Sequence, residues 1–123
     1  MLRIVKKYVD KKPIILCSDF GMRQVFSIII GNAFEAMKDG GTLTLETRVD
    51  RSKIYISIHN EGDYIPMEAM KNIFKPRYTT KAAQGGKGLG LFLANNIIND
   101  NGGNIRVLSN PLEGTTFTII LPL

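Results

Sequence analysis

The sequence predicts an α+β fold: a two-layer α/β sandwich whose mixed, mostly antiparallel sheet of about five strands is covered on one face by about three helices. Three observations carry this. Four segments alternate apolar and polar residues with a period of two, two longer segments place apolar residues at three-four spacing, and glycine-rich or polar breaks separate them. Strands with a single apolar face need covering on one side only, as antiparallel and mixed sheets allow.

Taken in order, the first dozen residues read as a linker or the tail of an upstream helix, giving a linker over residues 1–12 and a domain over 13–123. Ile14 to Cys17 reads as a short buried strand. From about Asp19 to Lys38, Met22, Val25, Phe26, Ile29, Ala33 and Met37 follow helical spacing, and Asp39-Gly40-Gly41 ends the helix. Leu43, Leu45, Thr47 and Val49, then Ile54, Ile56 and Ile58, mark two strands joined as a hairpin by Asp50-Arg51-Ser52. A short helix is expected over Pro66 to Phe74, and a longer one from about Gly88 to Asn101 with Asn101-Gly102-Gly103 as its stop. Ile105 and Val107, then Phe117, Ile119 and Leu121, mark two closing strands. Thr44, Glu46, Tyr55, Ser57, Arg106, Thr116 and Thr118 fall on the open face.

The chain of 123 residues is long enough to bury a core without disulfides or metals, and 44% hydrophobic with 22% charged residues suits a soluble globular domain. Apolar runs such as Ile28-Ile29-Ile30 are far below the ~18 residues of a membrane span, and no secretory signal opens the chain. A cytoplasmic location is expected, including that of the cytoplasmic part of a membrane-bound protein. Cys17, the single cysteine, reads as a core thiol and has no partner for an internal disulfide. One histidine and one cysteine exclude a zinc-type site, so any metal must come with a ligand. The net charge of +5 comes from scattered basic residues, densest at Lys6-Lys7 and Lys11-Lys12 without interleaved aromatics; no nucleic-acid partner is expected.

The stretch Gly85-Gly86-Lys87-Gly88-Leu89-Gly90-Leu91 is the most unusual in the chain. It lacks the Gly-Lys-Ser/Thr of a Walker A loop, and it follows a polar run where a dinucleotide fingerprint would follow a strand. Phosphate contact by glycine amides at a helix start and a plain hinge both remain open.

Three further features accompany it. Asn32 lies at the edge of the first helix's apolar stripe, ~60° from Ile29 at ~100° per residue. A short amide there reaches a cavity or a boundary partner, and its oxygen suits a hard cation such as Mg²⁺. Asn60-Glu61-Gly62-Asp63-Tyr64-Ile65-Pro66 ends a strand in a polar turn, and Gly114-Thr115-Thr116-Phe117 begins one.

In this order the boxes resemble the ATP-binding catalytic domain of sensor histidine kinases, within an ATPase group shared with DNA gyrase, a heat-shock chaperone and a mismatch-repair protein. The resemblance rests on Gly31-Asn32-Ala33-Phe34-Glu35-Ala36, the turn Asn60 to Pro66, Ile73-Phe74-Lys75-Pro76-Arg77-Tyr78-Thr79-Thr80-Lys81, Gly86 to Leu91 and Gly114 to Phe117. It covers about Ile14 to Leu121 and implies a Bergerat-type ATP-binding fold with ATP and Mg²⁺ as cofactors. It would make Asn32 the Mg²⁺ ligand, Asn60 the acceptor of the adenine amino group and Gly62 the point where backbone meets base. Ile65 and Phe74 would join the nucleotide-binding residues, and Phe74 to Gly86 would form a lid with Lys81 and Lys87 as phosphate contacts. Gly88, Leu89 and Gly90 would offer amides to the phosphates, and Thr115 would complete the adenine network.

The sequence departs from the family at three positions. Ile28 stands one turn before Asn32, where a polar residue is usual, so no catalytic residue is assigned. Asn60 replaces an acid and carries no charge, and Tyr64 replaces a glycine. By resemblance, the domain would present the γ-phosphate to a histidine on a separate dimerisation domain, with a response regulator downstream. His59, the only histidine, reads as a solvent-edge residue, so the chain alone is expected to bind ATP as a monomer without phosphorylating itself. A degenerate nucleotide- or protein-binding module, and an anti-sigma-type serine kinase or ATPase, are the alternatives.

Overall fold

A computed structural model describes residues 2–10, 17–76 and 90–123. Five strands, β1 (Leu2–Lys7), β2 (Gly41–Asp50), β3 (Lys53–Asn60), β4 (Asn104–Asn110) and β5 (Gly114–Pro122), form one sheet in the order β1-β2-β3-β5-β4. β1 runs parallel to β2, and the other pairs are antiparallel, giving the mixed sheet the alternation predicts. Helices α1 (Asp19–Ala36), α2 (Met67–Met70) and α3 (Gly90–Asp100) complete the described elements. The two longer helices pack on each other, α1 also against β3 and α3 also against β4.

The cross-strand register explains where the core sits. Leu45, Ile58, Phe117 and Val107 form one row across β2, β3, β5 and β4, and Thr47, Ile56, Ile119 and Ile105 form the next. Val25 and Ile29 of α1 and Ala94 and Ile98 of α3, all with no exposed surface, close over these rows. Burial of such side chains contributes roughly 1.5–3 kcal/mol each before entropy is counted. Cys17 is partly buried against the same core as a free thiol. On the opposite face Arg48 lies over the Tyr55 ring at 4.3 Å, and Tyr55 pairs with Ile120. Ile120 is thus buried although it faces away from the helices.

The helix ends follow from local chemistry. Ser18 caps α1 by accepting from the Gly21 N–H at 3.0 Å, as a short hydroxyl at an N-cap does. At the far end of α3, the Gly103 N–H donates to the Ile98 carbonyl and Gly102 takes φ 81°. Asn101 ties the two helices together: its Nδ2 donates to the Ile97 carbonyl, and its Oδ1 accepts from the Ser18 N–H.

Two expectations are corrected. Leu2–Lys7 is not linker or helix but an edge strand, because its N–H and C=O groups pair with the free edge of β2. The helix expected over Pro66 to Phe74 closes after Met70. Beyond it Asn72 donates to Ala69 and Lys75 to Asn72, so the chain continues in three-residue turns. The strand expected at Ile14 to Cys17 falls mostly outside the described residues.

Candidate functional site

One end of the sheet's apolar face turns polar. Asn60 at the end of β3 pairs with Thr115 at the start of β5, and Thr115 pairs with Ser109 near the end of β4. These three share the parity of Ile58, Phe117 and Val107, so they continue the core rows with amide and hydroxyl groups. Asn60 and Thr115 are only 3% and 4% exposed, which demands hydrogen-bond partners for them.

Those partners are local. Asn60 Nδ2 donates to the Glu61 carbonyl at 2.9 Å. The reverse orientation would set the amide oxygen against a carbonyl oxygen, so Oδ1 is left as the accepting end of the side chain. Ser109 Oγ accepts from the Ile65 N–H at 2.7 Å and lies 2.7 Å from Thr115 Oγ1. Ser109 therefore stitches the turn after β3 to β4 and β5. The sequence reading missed it, although its signal was there: a polar residue on the inward parity of β4, after Ile105 and Val107.

Two glycines allow close backbone approach here, Gly62 to the end of α1 and Gly114 to Asn60. Gly62 has φ 102°, and a Cβ on it would overlap the Ala36 carbonyl oxygen at the end of α1. Asp63 N–H donates to that same carbonyl at 3.0 Å. Gly114 has φ 89°, and a Cβ there would overlap the Asn60 carbonyl oxygen. Both conformations disfavour any residue with a side chain. Glu61 Oε1 accepts from the Thr42 N–H, anchoring the turn to β2.

Ile28 and Asn32 stand one turn apart on α1, both half-buried. A Cβ on Gly90, the first residue of α3, would meet Ile28 Cγ2 at 3.2 Å. The position where a polar residue was expected is thus an apolar seat for the start of α3. Ile65 and Phe74 are partly buried against the core, and Tyr64 is 46% exposed. The structure brings Asn60 and Thr115 together directly and joins Ile65 to Thr115 through Ser109, while Gly62 packs against the end of α1. Lys81, Lys87, Gly88 and Leu89, with most of the expected lid, lie outside the described residues.

His59 has the opposite parity to Asn60 and faces away from this row, its ring Nε2 hydrogen-bonded to the Glu113 carbonyl. A concavity of about 500 Å³ beside it is lined by Glu61, Gly62 and residues 111–114 but by neither Asn60 nor Thr115. Among the described residues no three His, Cys, Asp or Glu side chains cluster for a metal ion, and no helix is long and apolar enough to cross a membrane.

Sporulation kinase C of Bacillus subtilis is 39% identical over 102 residues, covering 83% of this chain and 23% of that protein. The signal transduction histidine-protein kinase AtoS of Escherichia coli is 43% identical over 103 residues, covering 83% and 17%. The chain thus spans less than a quarter of the length of these relatives. The solved catalytic domain of histidine kinase ThkA in a nucleotide-free form superposes with a TM-score of 0.87 at 28% identity, covering 98% of this chain and 80% of that one. Full-length ShkA in complex with AMPPNP shares the fold, with a TM-score of 0.85 at 23% identity, over 98% of this chain and 25% of that one. Residues 18–123 match the family described as histidine kinase-, DNA gyrase B- and HSP90-like ATPase, and the chain belongs to that family.

Proposed function

We propose that this domain binds ATP with its base on the Asn60–Thr115 row and presents the γ-phosphate for transfer to a histidine on a separate dimerisation domain, as part of a sensor histidine kinase. The observation that carries the reading is the polar row itself. Buried amide and hydroxyl groups at the end of an apolar sheet face are what recognition of a flat polar heterocycle needs.

The residues fit ATP in this way. Asn60 would accept from the adenine amino group, Thr115 would complete the base contacts, and Gly62 would let the backbone approach the base. Ile65 and Phe74 add apolar contact. The amides of Gly88, Leu89 and Gly90 at the start of α3, with Lys81 and Lys87, would receive the phosphates. Asn32 offers one oxygen ligand, so Mg²⁺ would be held jointly by Asn32, phosphate oxygens and water. Bound there, the ion supplies charge neutralisation for the triphosphate, while the protein's own task is to position the γ-phosphate. A response regulator would then take the phosphoryl group from the histidine.

Titration of the domain with ATP in the presence and absence of Mg²⁺ tests the reading. Saturable, Mg²⁺-dependent binding weakened by Asn32→Asp is expected; no such binding, or an Asn32→Asp variant like wild type, overturns it.

The contact between Ile28 and Gly90 favours a second reading, a nucleotide-binding module that has kept the fold and lost turnover. Joining the chain to its helical domain and supplying labelled ATP separates the two. Phosphohistidine supports the kinase, and its persistent absence with ATP binding intact supports the module.

A further inference from the structure

We infer that Ser109 is a positioning residue for base recognition, turning the Thr115 hydroxyl into a hydrogen-bond donor; the inference rests on the nucleotide site proposed above. Ser109 Oγ already accepts from the Ile65 N–H at 2.7 Å, a bond whose direction is fixed because an amide can only donate. Thr115 Oγ1 lies within reach of the serine proton at 2.7 Å, a contact in which either hydroxyl can donate, and the donor role is assigned to Ser109. With Ser109 donating to it, Thr115 keeps its own proton for a ligand. The relay begins at the Ile65 amide and ends on a hydroxyl that is 4% exposed.

The neighbouring Asn60 is locked in the opposite sense. Its Nδ2 donates to the Glu61 carbonyl, leaving the amide oxygen as acceptor. Asn60 and Thr115 are a cross-strand pair, so an acceptor and a donor stand side by side on one face of the sheet. Adenine presents the complement along one edge: an amino donor at C6 and an unprotonated N1 acceptor. A 6-oxopurine such as hypoxanthine presents a carbonyl acceptor and an N1–H donor, which meets like against like at both positions. A site built on polar groups rejects such a mismatch far more strongly than an apolar pocket rejects a change of size. Ser109, which need not touch the base, thus decides half of the readout.

The test measures affinities of the full chain for ATP, ADP and inosine triphosphate, in wild type, Ser109→Ala and Ser109→Thr. Wild type is expected to favour ATP over the inosine nucleotide. Ser109→Ala should weaken ATP and ADP by the same factor, about tenfold for one lost hydrogen bond, and leave inosine triphosphate within about twofold. Ser109→Thr, which retains the hydroxyl on a strand position, should restore the preference. Equal losses for ATP and inosine triphosphate would assign Ser109 a merely structural part and overturn the inference, as would an unchanged preference in Ser109→Ala. Should Ser109→Ala fail to fold, Ser109→Cys, a weak donor of similar shape, is read by the same criteria. Wild type that binds neither ATP nor ADP overturns the nucleotide site itself, an outcome distinct from a failure at Ser109 alone.

Discussion

Ile28 of α1 is the surface on which Gly90, the first residue of α3, rests: a Cβ on Gly90 would stand 3.2 Å from Ile28 Cγ2. The usual polar residue of the family is thereby replaced by a packing contact between the two long helices. The contact joins sequence, packing and function at one position. It removes a polar side chain from the helix wall and uses the space to seat the helix start.

Ile28→Asn should expose the conflict between those roles. Losing half-buried apolar packing is expected to cost about 1 kcal/mol in urea denaturation. In a protein carrying its histidine domain, the same variant should raise phosphohistidine yield per bound ATP, because the polar group returns one turn from Asn32. An unchanged yield would show that Ile28 does not limit transfer.

Gly62→Ala and Gly114→Ala should each destabilise the domain by about 2 kcal/mol or more, because a positive φ and overlap with a backbone carbonyl act together. Thermal melts followed by circular dichroism check this. Where Gly62→Ala remains folded, ATP affinity should fall as well, since Asp63 is held to Ala36 beside it.

Gly31 gives the contrasting case. It lies inside α1, and a Cβ there meets no atom within 4 Å. Gly31→Ala should stabilise the domain by roughly 0.5–1 kcal/mol through helix propensity, with ATP affinity unchanged. A lower melting temperature would mean that the glycine serves a contact formed only with nucleotide or with residues beyond those described.

Ser18→Ala should cost about 1 kcal/mol, by orphaning the Gly21 N–H at the start of α1. Arg23→Ala should change stability by less than about 0.5 kcal/mol, because its 3.2 Å pair with Asp19 joins two largely exposed side chains. Denaturation midpoints of the two variants in one buffer make the comparison. Added salt should remove the smaller effect and leave the larger one.

The sheet and long helices were legible because their apolar periods differ and the helices end on strong local signals: Asp39-Gly40-Gly41 after α1, and Asn101-Gly102-Gly103 after α3. β1 was not, because lysine-rich edge strands look like solvated linker until a partner strand is present. The α2 segment ran short of its expected length because turns closed by three-residue hydrogen bonds carry apolar residues at similar spacing.

Within the site, the sequence by itself determined the residue types and their order: Asn32, Asn60, Gly62, Gly90 and Thr115, and the apolar Ile28. These are chemical identities, and order along the chain suffices to read them. Only the tertiary structure decided which of them meet. Cross-strand register joined Asn60, Thr115 and Ser109 across more than fifty residues of chain, and the Glu61 carbonyl set the direction of the Asn60 amide. Register and proton direction are properties of paired backbones and filled valences, and a linear string of residues does not contain them.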